Sequence, residues 1–286
     1  METKATITTV AVLLTVHNRR ETTLRCLRAF SACERPEGMR FDLFLTDDGS
    51  TDGTAEAVRA EFPAVEIISG DGNLYWCRGM VAAWEAAAAR EDYGAYLWLN
   101  DDTFLYPDAL THLFASADRH PDAVIVGPVR SAVTGEFSYG GRARQHPMPP
   151  EGEEKQVPLF DGNIVLVPAS VYHRFGMLDR RFSHAMGDTE YGARIFHKGG
   201  RIWQTAEYLG TCERHERMDD WCNPEVPLRK RWKALHSPRG CNPREFFLYD
   251  RHNGIPVAMF HYCGIYLRTL FPSWWLPRVT RKENTH

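Results

Sequence analysis

Two short acidic runs stand where apolar stretches stop. Thr46-Asp47-Asp48-Gly49-Ser50-Thr51-Asp52-Gly53-Thr54 follows the run Phe41 to Thr46 and opens a helical pattern, and Leu97-Trp98-Leu99-Asn100-Asp101-Asp102-Thr103 ends another apolar run. Asp, Ser and Thr ahead of a helix are ordinary caps, and Gly supplies a tight turn. A cap needs only one carboxylate, however, and two adjacent carboxylates at a strand end repel each other. A buried carboxylate in the first run can accept hydrogen bonds from a nucleobase N–H or a ribose hydroxyl. In the second run, two carboxylates and an amide form a hard-oxygen site suited to Mg²⁺ or Mn²⁺, which keeps waters and binds substrate phosphates as well. A solvated turn is the alternative for that run.

The elements that must position these groups read as βα units. Apolar runs Val10 to Val16, Phe41 to Thr46, Val65 to Ser69, Ala95 to Leu99 and Ala123 to Val126 alternate with helical patterns at Glu21 to Cys33, Thr54 to Glu61, Gly79 to Arg90 and Pro107 to Ala117. This rhythm predicts an α/β fold, a doubly wound, mostly parallel sheet with helices on both faces. In such sheets the ligand crevice lies beyond the carboxyl ends of the strands, where the acidic runs fall. After Val126 the rhythm changes. Gly135 to Gly141 reads as a hairpin and His146 to Lys155 as a surface loop; Val157 to Val167 reads as strand split at Asp161-Gly162. Helices near Pro168 to Phe175 and Asp188 to Lys198 and a strand at Arg201 to Gln204 follow.

With Thr15-Val16-His17-Asn18-Arg19 after the first strand and Gly187-Asp188-Thr189-Glu190-Tyr191-Gly192-Ala193-Arg194 later, the two acidic runs resemble, in order and spacing, family 2 glycosyltransferases of the inverting GT-A type over residues 8 to 217. The resemblance implies that Asp48 binds the base with Asp47 beside it, that Asp101 faces the ribose, and that Asp102 holds the metal on the diphosphate. Thr15 and Asn18 would line the nucleotide pocket. Gly72-Asn73-Leu74-Tyr75-Trp76-Cys77-Arg78-Gly79 resembles the family's segment beside the nucleotide, implying nucleotide contacts from Asn73 and Arg78 and a donor or acceptor contact from Trp76; a helix-capping loop is the other reading. Asp161, Gly162 and Asn163 match the segment contacting donor sugar or acceptor. In the Glu-Asp-x-Asp pattern Gly187 stands at the first acid, so Asp188 takes the place of the catalytic base and Glu190 that of the last acid, near donor or acceptor. His215 stands where many relatives place a histidine metal ligand.

The implied chemistry is a single in-line displacement with inversion at the anomeric carbon of a nucleotide-diphosphate sugar, UDP- or dTDP-linked. A divalent ion, Mn²⁺ or Mg²⁺, neutralises the leaving diphosphate, and Asp188 takes the acceptor hydroxyl's proton. The acceptor would be a saccharide or lipid-linked saccharide of a surface polysaccharide or glycolipid. Two rivals are a nucleotidyltransferase, against which Thr15 to Arg20 lacks a glycine-rich phosphate loop, and a catalytically degraded sugar-nucleotide-binding relative marked by Gly187. A Mg²⁺-binding signalling module would be a much shorter chain.

Composition bounds the reading. With 286 residues, 43% hydrophobic and 25% charged, the chain is neither disordered nor a disulfide scaffold. Seven cysteines without C-x-x-C spacing read as reduced thiols of a cytoplasmic protein. Charge is unevenly spread: residues 229–286 hold 11 Lys/Arg against three acidic residues, whereas residues 1–228 hold 23 against 34. This predicts a catalytic domain over 1–228, with nucleotide-binding (1–127) and acceptor and base (128–228) halves, then a basic, aromatic-rich helical extension over 229–286. Arg229-Lys230-Arg231-Trp232-Lys233, the apolar Val257 to Phe271, and Trp274, Trp275, Arg278, Arg281 and Lys282 suit an anionic membrane surface, placing the protein peripherally on the inner face of the cell membrane. A helix packed on the catalytic domain or a dimer contact would use the same residues. No groove-reading motif accompanies the charge, which argues against a nucleic-acid partner.

Overall fold

The computed structural model describes residues 7–184, 186–214 and 219–275. Its contacts divide the chain into two compact units, Met1–His215 and Glu216–His286. Residues 216–228, grouped by their charge with the catalytic domain, fall in the second unit, where Trp221 and Cys222 share a small core with Leu235 and Ile265.

The first unit is built on a central sheet of eight strands among the described residues. Four of them, β1 (Thr9–Val16), β2 (Arg40–Asp47), β3 (Glu66–Ser69) and β4 (Ala95–Leu99), run parallel, with β1 between β4 and β2. Val10 to Leu14 and all of β4 are buried, as the unbroken apolar runs of central strands covered on both faces require. The strand Ile164–Pro168 runs antiparallel to both β4 and Ala123–Val126, so the expected parallel sheet is mixed at this point. Arg201–Gln204 pairs parallel to Ala123–Val126, and Lys155–Gln156 closes that edge.

Helices α1 (Arg20–Ser31), α2 (Thr54–Glu61), α3 (Tyr75–Arg90) and α4 (Ala109–Arg119) connect or follow these strands, with α5 (Ala169–Phe175) and α6 (Met186–His197) later in the unit. On one side, Leu24, Leu27 and Phe30 of α1 join Val10, Val12, Leu14 and Val16 of β1 in the main core. Trp84 of α3, Trp98 of β4 and Tyr191 of α6 form a second, aromatic cluster, with ring centroids 5.2–6.0 Å apart.

The expected hairpin at Gly135 to Gly141 is corrected. Phe137–Tyr139 turns back on Val129–Arg130, while Gly141–Ala143 pairs with Leu159–Phe160 in a separate small sheet. The chain changes sheets at Gly140-Gly141, where Gln204 Oε1 accepts from the Gly141 N–H at 2.6 Å; a Cβ on either glycine would stand 2.9 Å from that oxygen.

The second unit contains α7 (Leu228–Leu235), α8 (Pro243–Asp250) and α9 (Ile255–Leu270). Asn242 caps α8 by accepting from the Arg244 N–H at 3.1 Å, with Pro243 at the first helical position. Among the described residues no helix is long and apolar enough to cross a membrane.

Candidate functional site

Because β1 and β2 run in register, Val16 opposite Asp47, the segments that follow them start level at one edge of the sheet, and β4 joins them through Leu13 opposite Trp98. Asn18 takes a left-handed backbone (φ 53°), tolerated by asparagine, which lets its Oδ1 accept from the Thr51 N–H at 2.7 Å while its own N–H donates to Ser50 Oγ at 2.9 Å. Asn18 therefore ties the first strand end to the second. Asp47 closes its own turn, accepting from the Ser50 N–H at 2.9 Å.

Asp48 is buried and holds the loop before α3. Its carboxylate accepts from the backbone N–H groups of Gly72 (2.8 Å), Leu74 (3.0 Å) and Tyr75 (2.9 Å). The last bond fixes Tyr75 in a left-handed conformation (φ 57°), strain that the carboxylate over-determines. Such engagement leaves Asp48 little capacity for a base N–H, so the structure gives it a positioning task. Asn73 is exposed and bonds back to Asp71, and Arg78 Nε donates to the Arg180 carbonyl at 3.2 Å. Thr15 packs against Gly79, whose missing side chain makes room for it.

Asp101 and Asp102 meet a cation the sequence reading did not single out. Arg19 reaches both carboxylates, with Nε 3.3 Å from Asp101 and an Nη donating to Asp102 at 2.9 Å. Thr23 also contacts Asp101 at 3.4 Å. Burial pushes the Asp101 carboxyl up to about 7, against the opposing pull of Arg19. Asp102 is more open, its side chain 22% exposed, and among the described residues its Oδ1 has one hydrogen-bond contact, the Cys212 thiol at 3.6 Å. One open carboxylate oxygen fits a Mg²⁺ or Mn²⁺ ion held largely by substrate phosphates. His215, the other expected ligand, lies outside the described residues. Among those residues no cluster of three or more His, Cys, Asp or Glu could hold a metal unaided.

Trp76 links this region to the second acidic one. Its indole N–H donates to Asn100 Oδ1 at 2.8 Å, and its ring packs on Trp98 and on the Cα atoms of Gly162 and Gly187, where a Cβ would lie 2.7 and 3.4 Å from it. Gly162 in turn donates its N–H to Asp188 Oδ2 at 3.0 Å. Asn163 is buried, its amide donating to Thr103 Oγ1 at 3.2 Å.

Asp188 stands in the first turn of α6, accepting also from the Thr189 N–H at 2.6 Å. Burial pushes it up to about 6, the range of a general base near neutrality. Arg142 opposes that rise: it donates to Thr189 Oγ1 at 2.6 Å, and Thr189 Oγ1 lies 3.2 Å from Asp188. The same guanidinium holds Asp161 Oδ1 at 3.1 Å, whose carboxyl is likewise raised by burial. Arg142 carried no sequence signal, since its approach depends on the sheet change at Gly140-Gly141.

Glu190, expected near donor or acceptor, is instead forked onto Arg194 by two bonds of 2.9 Å. Arg194 also donates to the Phe175 and Met177 carbonyls, so this pair fastens the loop after α5. Gly187, standing for the pattern's first acid, has a packing reason: a Cβ there would lie 2.5 Å from Cys77 Sγ. The first turn of α3 fills the space an acid would need.

Residues 11–182 match the model of the family described as glycosyl transferase family 2. The N-acetylglucosaminyl-diphospho-decaprenol L-rhamnosyltransferase of Mycobacterium tuberculosis is 25% identical over 258 residues, covering 78% of each chain. Among solved structures, S. aureus TarS 1–349 in complex with UDP-GlcNAc superposes with a TM-score of 0.55 at 11% identity, covering 96% of this chain and 74% of its own. The mannosyltransferase PcManGT from Pyrobaculum calidifontis, in complex with GDP-Man and Mn²⁺, gives 0.54 at 15% identity, covering 93% and 82%. At these identities the likeness shows the fold, and it bears out the expected GT-A arrangement.

Proposed function

This chain belongs to glycosyl transferase family 2 and is a glycosyltransferase; from that premise we propose that it moves a sugar from a nucleotide diphosphate to a saccharide hydroxyl with inversion, using Asp188 as base. The observation that carries the reading is Trp76, which joins the Asn100-Asp101-Asp102 turn to the Gly162–Asp188 contact through one side chain. A donor bound along the sheet edge would lie with its diphosphate toward Asp102 and its sugar over the indole, facing Asp188.

Asp102 would hold a Mn²⁺ or Mg²⁺ ion, which when bound neutralises charge on the departing diphosphate. Arg19 adds a second positive charge beside it. Thr15, Asn18, Asp47, Asn73, Arg78 and Asp101 frame the nucleotide pocket, with Asp48 holding its loop; Asp161 and Asn163 flank the sugar. Asp188 accepts the acceptor proton as the new bond forms, and the N–H groups of Gly162 and Thr189 fix the carboxylate's orientation. The M. tuberculosis relative, a rhamnosyltransferase whose acceptor carries a diphospho-decaprenol, supports a lipid-linked acceptor and makes dTDP-rhamnose the first donor to test beside UDP-sugars. Such an acceptor would be met at a membrane surface, which the basic, aromatic second unit suits.

The test is a thermal-shift screen of UDP, dTDP, GDP and CDP, each with and without Mn²⁺. A ligand that binds only the native state raises its stability, by about 2.7 kcal/mol at a hundredfold excess over Kd. Stabilisation by one nucleotide only with metal supports the reading and names the donor class. No shift with any nucleotide would overturn it.

A further inference from the structure

The second unit displays an apolar surface that its own fold does not use. Of α9, only Ala258, Ile265 and Thr269 are buried. Ile255, Met259, Phe260 and Leu267 are 63%, 46%, 76% and 46% exposed, and no charged side chain interrupts them between Ile255 and Leu267. A contiguous apolar helix face of this kind marks an interaction site.

A groove beside α9 says what kind of partner it would take. A cavity of about 500 Å³ is lined by Arg244, Phe247 and Leu248 of α8 and by Met259 and Tyr262 of α9. That volume lies in the range of small-ligand sites. Its walls are apolar or aromatic apart from the Tyr262 hydroxyl, which faces Tyr266 at 3.4 Å, and Arg244. Among the described residues the Arg244 guanidinium has no ion-pair or hydrogen-bond partner. Met259 belongs both to the groove and to the exposed face, so the two are continuous.

An apolar slot with one unspent cation, opening onto an apolar face, has the chemistry of a phosphate-bearing lipid: a hydrocarbon chain in the slot and its phosphate on Arg244. The neighbouring charge agrees. Arg229, Lys230 and Lys233 of α7, Arg251 and Arg268 are exposed, and residues 229–286 hold 11 Lys/Arg against three acidic residues, an excess complementary to anionic headgroups. We propose that the groove between α8 and α9 binds one prenyl or acyl chain of a lipid phosphate, with the exposed face of α9 lying in the membrane interface. That this lipid carries the acceptor rests on the lipid-linked reading above; the groove itself does not.

Farnesyl phosphate, farnesol and inorganic phosphate are the probes, measured on the full chain by equilibrium dialysis with labelled farnesyl phosphate. Farnesyl phosphate should bind about tenfold tighter than farnesol, and inorganic phosphate should not compete. Arg244→Gln should abolish the preference while keeping farnesol binding, and Met259→Trp, which fills the slot, should weaken both. In pelleting assays, vesicles of phosphatidylcholine with about one third phosphatidylglycerol should retain the protein, and Phe260→Glu should release it about tenfold. Equal binding of farnesyl phosphate and farnesol, displacement by inorganic phosphate, or indifference of pelleting to Phe260→Glu would overturn the inference. The nucleotide thermal shift, read on the same samples, separates the two readings. Farnesyl phosphate binding without a nucleotide response keeps the lipid site and removes the proposed nucleotide-sugar reading, and the converse removes only the lipid site.

Discussion

The acidic groups at the two ends of the site, Asp101 and Asp102 at one and Asp188 at the other, meet their arginines differently. At the end of β4, Arg19 contacts both carboxylates directly, with Nε 3.3 Å from Asp101 and an Nη 2.9 Å from Asp102. At the start of α6, Arg142 reaches Asp188 only through the Thr189 hydroxyl. Direct contact does not by itself keep a carboxylate charged, because burial still raises Asp101 to about 7; what Arg19 adds is a fixed positive charge at this end of the site. Burial dominates at Asp188 as well, raising it to about 6, where a carboxylate can take a proton near neutrality, while the Arg142 charge opposes that rise from one residue away. The two ends thus differ in geometry: two adjacent carboxylates share one arginine at the first, and a single carboxylate ordered by two backbone N–H groups and the Thr189 hydroxyl stands at the second. That arrangement suits binding at the one and proton transfer at the other.

The largest expected effect breaks this division at the base. Asp188→Asn keeps an acceptor oxygen for the Gly162 N–H but cannot take a proton, so kcat should fall by about 10²–10⁴ while donor binding in the thermal-shift screen is unchanged. Asp102→Ala should do the reverse, losing metal-dependent stabilisation by nucleotide. Equal losses of binding in both variants would contradict the division of roles.

The next effect concerns Glu190, two residues from Asp188 on the same helix. Its charge is spent on Arg194, both side chains being largely buried. Arg194→Met should therefore cost about 3–5 kcal/mol of stability by breaking the ion pair of a buried carboxylate, measured by urea unfolding. A loss of that size would mark Glu190 as a fastening group; a stable Arg194→Met protein with impaired transfer would return Glu190 to the reacting centre.

A smaller effect is expected at Gly187. Ala there would place a Cβ 2.5 Å from Cys77 Sγ, an overpacking that costs about 1–3 kcal/mol. Thermal unfolding of Gly187→Ala beside the Gly187→Ala/Cys77→Ala pair separates packing from chemistry, because the second change should recover part of the loss. If the acid were missing through decay of the site, there would be no such coupling.

The strand ends were legible because they announce themselves locally: apolar runs stop, and carboxylates begin. Asp47 and Asp48 stand at the end of β2, and Asp101 and Asp102 follow β4, two strands of one sheet with β1 between them. What those groups touch was not legible. Asp48 turned out to hold Tyr75 in a left-handed conformation, which also starts α3 four residues ahead of the expected Gly79. The hairpin expected at Gly135 to Gly141 failed because Gly135 turns the chain back onto Val129–Arg130, whereas Gly140-Gly141 serve a change of sheet. Trp76 read as a family position, yet its connection to Asp188 depends on two glycines, Gly162 and Gly187, distant in sequence. Local pattern shows where chemistry sits; which cation neutralises which acid is set by packing between distant segments.

Arg142 gives the finest test of that point, because its expected effect is on the pH dependence and not on the rate at high pH. Its positive charge lowers the Asp188 pKa against the larger effect of burial. The base must be deprotonated to act, so activity should rise as pH increases through about 6. Arg142→Met removes the opposing charge, so the acid limb of kcat/KM should move to higher pH, with the plateau little changed once Asp188 is ionised. Arg142→Lys keeps the charge but not the fork that joins Asp161 to Thr189, and should leave the limb near its original place. Asp161 acts in the opposite sense, its like charge raising Asp188, so Asp161→Asn should shift the limb to lower pH. A purely structural Arg142 would lower the plateau in both variants without moving the limb, and the contrast between directly and indirectly neutralised carboxylates would then lose its functional meaning.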